Sequence, residues 1–186
     1  MTFLYNMKWF GIYYIQQNTL CRKGDSGLIA LEALKSRLTD NQLKVQREEG
    51  DVDTLRFSFN QPATELEIKR LPKRTPEDMI HFLNRHNGAQ LFVHPTYGGG
   101  IQLFSVEEIN EYREVWECPE QFIPVGAGMD GEWIVCEVVN EHENYIWVGE
   151  FLTYEDDIEK LPMDYTRWFD FLIVAQGAHF WDWFRR

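Results

Sequence analysis

The chain has 186 residues, of which 44% are hydrophobic and 26% charged, a composition typical of a globular protein with a buried core. Its three cysteines, Cys21, Cys118 and Cys136, are odd in number and far apart in sequence. This usage excludes a disulfide framework and a zinc cluster and favours a reducing compartment. We therefore predict a single cytoplasmic domain spanning residues 1–186.

Negative charge is concentrated in the last part of the chain. Residues 1–60 carry 8 Lys and Arg against 7 Asp and Glu, residues 61–100 carry 5 against 4, and residues 101–186 carry 5 against 19. These balances of +1, +1 and −14 give the net charge of −12. An acidic surface repels phosphate, which argues against direct binding of nucleic acid, and it attracts basic proteins. Acidic residues that only keep the protein soluble would explain the same charge.

The first 56 residues are predicted to form a strand–helix–strand extension that packs on the rest. The apolar start of the chain is interrupted by Asn6 and Lys8 and is too short to span a membrane, so residues 9–15 are predicted to form a buried strand. A helix follows, marked by four leucines at helical spacing and ended by Asp40-Asn41. The leucines are Leu28, Leu31, Leu34 and Leu38. Alternating residues then predict strands at 43–47 and 54–59.

Two capping boxes mark helix starts in the middle of the chain. Thr64 with Glu67, and Ser105 with Glu108, have the spacing at which each side chain satisfies a backbone N–H of its partner. The sequence therefore predicts helices that begin directly after Thr64 and after Ser105.

A third helix start lies at residues 75–78, where Thr75 would be the cap and Pro76 the first helical residue. One face of this helix is apolar and carries Met79, Phe82, Leu83 and His86. The helix is predicted to run into Asn87-Gly88, where glycine allows the positive φ that ends a helix, and residues 89–93 then form a strand. On that face His86 is predicted to be packed and hydrogen-bonded rather than to act as a general base.

The second half of the sequence predicts strands and one buried helix. Residues 131–139 and 145–151 flank the polar stretch 140–144 and predict a hairpin with a five-residue loop. A largely apolar helix follows, marked by Trp168, Phe171, Leu172 and Ala175 and ended by Gly177. The fold class is therefore α+β, with helices packed against an antiparallel or mixed sheet. The aromatic tail 177–186 either covers the edge of the core or contributes to a binding surface.

No stretch satisfies the requirements of a catalytic or metal site. Residues 141–143 (Glu-His-Glu) have ligand-type side chains, but in a hairpin loop solvation is the simpler interpretation. The glycines of 97–100 lack the Gly-Lys-Ser/Thr of a phosphate-binding loop. Ser26 lacks the glycine spacing of a hydrolase nucleophile, and Cys136 has no histidine near it in sequence. We predict a protein that is not an enzyme and has no metal site and no cofactor.

The acidic half matches a protein-binding surface better. Carboxylates and tryptophans share the predicted hairpin, and another acidic cluster follows it. The predicted partner-binding residues are Glu132, Trp133, Glu137, Glu141, Glu143, Trp147, Glu150, Glu155, Asp156 and Asp157. Aromatic anchors ringed by carboxylates are typical of an interface for a basic protein. Each tryptophan could instead face the core.

Three stretches of the sequence follow one another in a recognisable order. They are SFNQPATELEIKRLPKRTPEDMIHFLNRHNGAQLF, YGGGIQLFSVEEI and PEQFIPVGAGMDGEWIVCEV. Pro76 precedes Asn87-Gly88 by eleven positions, a glycine-and-aspartate segment contains Asp130-Gly131, and WFDFL (168–172) follows near the end. Over residues 57–176 this order resembles the SUKH superfamily, which includes the yeast cell-wall-assembly regulator and many bacterial immunity proteins. Thr75 departs from the leucine that usually precedes the proline.

The resemblance implies structural roles for Pro76, Asn87, Gly88, Asp130 and Gly131. It also implies an immunity protein that binds and neutralises a toxin, often a nuclease, of a bacterial polymorphic or contact-dependent system. Carboxylates that imitate phosphate groups would occlude the positively charged cleft of such a toxin. A regulatory interaction scaffold with several weak partners is the second hypothesis, and a hydrolase with an unrecognised carboxylate pair is the third.

Overall fold

A computed structural model describes residues 28–47, 50–128, 131–150 and 158–184. The predicted strand at 9–15, Asp130, Glu155, Asp156 and Asp157 lie outside the described residues. Within the described ranges the chain forms one eight-stranded sheet with five α-helices and a final 3-10 helix. The predicted α+β fold is confirmed.

All neighbouring strands of the sheet are antiparallel, and their order in the sheet is their order along the chain. The strands are β1 (Gln42–Gln46), β2 (Val52–Phe59), β3 (Ala89–Val93), β4 (Ile101–Leu103), β5 (Phe122–Gly128), β6 (Glu132–Asn140), β7 (Glu143–Glu150) and β8 (Glu159–Leu161). This connectivity brings the acidic second half of the chain together at the β5–β8 end of the sheet.

The helices lie before, between and after the strands. They are α1 (Ile29–Arg37), α2 (Glu65–Ile68), α3 (Glu77–Leu83), α4 (Val106–Val115), α5 (Tyr165–Val174) and the 3-10 helix Phe180–Phe184. Helix α5 is the common partner, because α1, α3 and strand β7 all pack against it. Its Trp168, Phe169 and Leu172 are fully buried, as are Leu31 of α1 and Ile146 of β7. Helices α1, α3 and α5 therefore enclose the core against one face of the sheet at β7.

The two capping boxes are present at α2 and α4, but the predicted start of α3 is wrong in detail. Pro76 is the N-cap residue rather than the first helical residue, and the Thr75 hydroxyl donates to the carbonyl of Pro72 at 2.8 Å instead of capping the helix. Asp78 of α3 accepts hydrogen bonds from the backbone N–H and the hydroxyl of Thr166, at the start of α5. The acidic first turn of α3 thus stabilises the start of a different helix.

The β6–β7 hairpin has a shorter turn than the predicted five-residue loop. Strand pairing continues to Asn140 opposite Glu143, so that only Glu141 and His142 form the turn. The side-chain oxygen of Asn140 accepts from the backbone N–H of His142 at 2.9 Å, which closes the turn from within. The polar stretch looked like a loop because the exposed ends of these strands carry polar side chains.

The junction after α3 also differs from the prediction, because α3 ends at Leu83 rather than running into Asn87-Gly88. The Asn87 side chain accepts from the N–H of Val106 at 2.8 Å and donates to Glu67 at 3.1 Å, joining the starts of α4 and α2. Gly88 has φ +90, and a Cβ there would lie 3.0 Å from backbone atoms of residues 103 and 105. Both residues therefore hold the scaffold together.

His86 is packed and hydrogen-bonded, as predicted. Its ring centroid is 4.9 Å from that of Phe59, Nδ1 is 3.2 Å from the carbonyl of Asn60, and Nε2 is 3.0 Å from Nζ of Lys35. Since an ammonium group only donates, Nε2 accepts from Lys35 and Nδ1–H donates to Asn60, which is the neutral form of the ring. Burial lowers the pKa of His86 below its ordinary value of 6.5, and Lys35 lowers it further.

This lowered pKa predicts a loss of stability in mild acid. The unfolded chain binds the His86 proton more tightly, so the contribution of His86 is full above about pH 6.5 and is lost as pH falls toward the folded-state pKa. We expect His86→Gln to flatten the decline of the unfolding free energy between about pH 7 and pH 5, measured by urea denaturation. His81→Gln, in the preceding helix α3, is the control, and parallel curves for wild type and His86→Gln would contradict the expectation.

The start of the aromatic tail packs on the core at Phe180 and Trp181, which agrees with the first of the two alternatives for these two rings. Phe180 and Trp181 are each 2% exposed. Gly177, just after α5, has φ +79 and sits against the ring of Phe92, where a Cβ would lie 2.5 Å from Cγ. Gly98 has a similar φ of +76 but open space around it.

Substituting these two glycines separates backbone strain from packing. An alanine at positive φ costs about 1–2 kcal/mol at either position, and forcing a methyl group into a packed ring adds about 1–3 kcal/mol at Gly177 only. We therefore expect Gly177→Ala to lower the free energy of unfolding by about 1–3 kcal/mol more than Gly98→Ala does. Equal losses in chemical denaturation would show that the C-terminal segment does not pack on Phe92.

Candidate protein-binding face

Strands β5–β8 present two chemically different faces, because successive side chains of a strand point to opposite sides. The face toward the helices is buried and apolar and carries Ile134, Cys136, Val138, Ile146, Val148 and Leu161. The opposite face carries Phe122, Trp133, Val135, Glu137, Tyr145, Trp147 and Lys160, and we name this set the aromatic face. Its four rings are only half-buried.

The strand register aligns these side chains in rows across the sheet. Phe122, Glu137 and Tyr145 occupy one row, on β5, β6 and β7 respectively. The ring of Phe122 meets that of Trp147 edge-on, with 5.9 Å between centroids. The aromatic face is therefore a continuous surface built from neighbouring strands rather than a set of isolated rings.

Trp133 lies at the other end of the aromatic face, on a site shaped to fit its ring. The indole lies against Gly149 on the paired strand, where a Cβ would be 2.5 Å from Cζ2 of the ring. Its other neighbour is Trp116 at the end of α4, with 6.4 Å between centroids. Trp116 in turn packs on the buried Phe104, at 5.8 Å. Trp133 is thus held in position without entering the core.

A carboxylate and an ammonium group lie among the rings. Oε2 of Glu137 accepts from Nε1 of Trp147 at 2.9 Å and from Nζ of Lys160 at 2.7 Å. These bonds hold the pKa of Glu137 below its ordinary value, the hydrogen bond from Lys160 contributing most. The same ammonium lies 4.1 Å from the ring centroid of Tyr145 and 5.4 Å from that of Trp147.

The predicted partner-binding residues are distributed over different parts of the structure. Glu132 lies on the helix side of the sheet, where its side chain is 13% exposed and 3.2 Å from Nδ1 of His179. Glu141 and Glu143 are exposed at the β6–β7 turn, and Glu143 accepts from the hydroxyl of Tyr145 at 2.6 Å. Glu150 ends strand β7. Trp133, Glu137 and Trp147 share the aromatic face.

Sequence reasoning missed four residues of this region: Trp116, Phe122, Tyr145 and Lys160. Tyr145 is two residues before Trp147 on one predicted strand, so strict alternation would have placed it on the same side. Phe122 and Lys160 come from strands that the sequence did not pair with the hairpin. Their position depends on the sheet order, which no local pattern reveals.

Exposed carboxylates lie at two borders of the aromatic face, near Trp116 and near Tyr145. Four of them follow one another along the second half of α4 and the link to β5, at Glu111, Glu114, Glu117 and Glu120. They flank Trp116 in sequence and lead into Phe122, while Glu141 and Glu143 lie at the β6–β7 turn beside Tyr145. The rings are therefore bordered by negative charge on two sides.

Across 28–47, 50–128, 131–150 and 158–184, no three His, Cys, Asp or Glu side chains are grouped so as to hold a metal ion. In the same ranges no helix has both the length and the apolar character needed to cross a membrane. Cys136 is buried, and burial raises the pKa of its thiol well above the ordinary value.

Comparison with known proteins identifies the family. Residues 62–183 match the SMI1/KNR4 family (SUKH-1). The chain belongs to this family. It is also similar to two uncharacterized proteins of Bacillus subtilis (strain 168): YnaB, 32% identical over 133 residues, and YobM, 30% identical over 171 residues. These alignments cover 68% of this chain and 87% of YnaB, and 82% of this chain and 89% of YobM.

The predicted resemblance to the SUKH superfamily is thereby confirmed. SUKH proteins are generally associated with immunity to polymorphic toxins and are typically not catalytic.

The placement of Trp133 on the aromatic face predicts a modest effect on stability. Trp133→Ala should lower the free energy of unfolding by about 1–2 kcal/mol, since part of its ring is already in water. Trp168→Ala, which empties a fully buried site in α5, should cost about 3–5 kcal/mol. Guanidinium denaturation measures both, and equal losses would show that Trp133 belongs to the core.

Proposed function

We propose that this protein is a cytoplasmic immunity protein that binds and neutralises one basic toxin, a nuclease of a bacterial polymorphic or contact-dependent system. The observation that carries the proposal is the aromatic face, whose half-buried rings lie on the side of the sheet away from the core. Tryptophan and tyrosine are enriched among the hot-spot residues, which contribute most of the binding energy of a protein interface. Family membership supports the toxin as the class of partner.

The distribution of charge supports a basic partner. Residues 101–186 carry 5 basic against 19 acidic side chains, and exposed carboxylates border the rings at α4 and at the β6–β7 turn. Such a surface attracts a positively charged protein over distance and speeds the encounter, whereas it repels the phosphates of nucleic acid. Rapid association suits an inhibitor that must act before the toxin reaches its substrate.

Inhibition then follows from occlusion of the cationic cleft in which the nuclease binds phosphates. The exposed Glu141 and Glu143 take the part of phosphate groups, together with the carboxylates of α4. Glu132 is not among them, because its carboxylate faces the helix side and contacts His179. Trp133 and Trp147 supply the apolar contact that makes the complex long-lived.

Binding to a candidate toxin, chosen as a nuclease-like domain encoded in a neighbouring reading frame, tests this function. With the purified nuclease domain and calorimetry, we expect Trp147→Ala and Trp133→Ala each to weaken binding by at least about 2 kcal/mol, close to 30-fold. Affinity should also fall between about 0.1 M and about 1 M salt, because the screening length shortens from about 10 Å to about 3 Å. Stoichiometric loss of nuclease activity should accompany binding.

The control is Tyr97→Ala, which removes an aromatic ring that is 87% exposed on the β3–β4 loop. It should leave the affinity unchanged. Affinity that is insensitive to both tryptophan substitutions and to salt would refute the aromatic face as the toxin-binding surface. Capture of several weak partners in place of one tight one would favour the regulatory scaffold instead.

A further inference from the structure

Lys160 occupies a site that has the chemistry of a receptor for cations. Its ammonium group lies over the ring of Tyr145, beside that of Trp147, and against the carboxylate of Glu137, at 4.1, 5.4 and 2.7 Å respectively. We name the group formed by Glu137, Tyr145 and Trp147 the cation cage. Rings within about 6 Å and a paired carboxylate are the elements by which proteins recognise ammonium and guanidinium groups.

The cage is held together independently of Lys160. Trp147 donates its Nε1–H to Glu137 and so fixes the carboxylate beside the indole. Tyr145 donates its hydroxyl to Glu143, and Phe122 packs against the edge of Trp147. All three members lie on β6 and β7, whereas Lys160 comes from β8, which pairs with β7 at only three positions.

The occupant is partly open to solvent. The Lys160 side chain is 40% exposed, while that of Glu137 is 21% exposed. Ion pairs and cation–π contacts of exposed groups are weak, so an external cation can displace the ammonium group without disturbing the sheet. The surrounding negative charge raises the local concentration of cationic partners.

We propose that the cation cage receives one lysine or arginine side chain of the partner protein, and that Lys160 occupies it as an internal competitor in the free protein. The partner residue displaces Lys160 and takes over its contacts with Glu137, Tyr145 and Trp147. This inference rests on the proposed function and extends it. It assigns the cation cage as one contact point of the interface, where a basic side chain of the partner would bind. It also assigns Lys160 a role in limiting affinity.

A probe that needs no partner protein tests the cage itself. We would titrate N-acetyl-L-arginine amide into wild type and Lys160→Met and follow the Trp147 indole N–H by NMR. Methionine keeps an apolar stem but removes the competing charge. Binding to Lys160→Met should be tighter than to wild type by about two- to fivefold, the loss of one exposed cation–π or ion-pair contact.

The control for net charge is Lys44→Met, because Lys44 is exposed on the same side of the sheet but on the distant strand β1. It should bind the probe as wild type does, and neutral N-acetyl-L-norleucine amide should bind none of the variants. Lys160→Gln repeats the test with a polar side chain, should methionine perturb β8. No difference between Lys160→Met, Lys160→Gln and wild type would overturn the proposal.

The toxin then separates this inference from the proposed function. Lys160→Met should bind the nuclease domain two- to fivefold more tightly than Lys44→Met, and Glu137→Gln should bind it more weakly. Tighter probe binding with unchanged toxin affinity would retain the cage as a cation receptor but remove it from the toxin interface, which overturns the assigned occupant. Weaker toxin binding by Lys160→Met would show that Lys160 itself contacts the partner, and would also overturn it.

Discussion

The alternation of side chains along antiparallel strands is the constraint on which the rest of this structure depends. In β6, Ile134 and Cys136 face the helices, whereas Trp133 and Glu137 face the opposite side. A slip of one residue would exchange the two sets and bury a carboxylate in the core. The two-residue turn at Glu141-His142 fixes the register, and the fit of Trp133 over Gly149 is possible in this register alone.

Local signals in the sequence predicted much of the fold because they depend on neighbours along the chain. The capping boxes at Thr64 and Ser105, the leucines of α1 and the end of α5 shortly before Gly177 all follow from short-range geometry. The start of α3 was predicted less well, since Thr75 forms its hydrogen bond with Pro72 and Asp78 with Thr166 in α5. The second of these bonds joins residues 88 apart in sequence, which no pattern of spacing could reveal.

The sequence predicted only part of the aromatic face, because the face also depends on contacts between residues that are far apart in the chain. Both sides of β6 are apolar near its middle, with Val135 on one side and Ile134 and Cys136 on the other, so composition does not say which side is the core. Phe122 and Lys160 join the face through strand order alone. Strict alternation of side chains along β6 would have placed Glu132 on the side of Ile134, opposite Trp133. The structure has Glu132 on that side.

Only some carboxylates of the acidic half are available to a partner protein. Which of them are already paired within the chain determines the kind of partner that the surface can bind. Glu132 contacts His179, and Glu137 already holds Lys160, whereas Glu141 and, on α4, Glu111 and Glu114 are exposed. A partner that presents a cation at the cage replaces the Lys160 contacts with its own, so the exchange is nearly balanced. A partner that presents an apolar group there must break those contacts without replacing them, or leave Lys160 in place. Under the proposed exchange Lys160 keeps the cage paired in the free protein, and only a partner with a correctly placed cation enters the cage without losing those contacts.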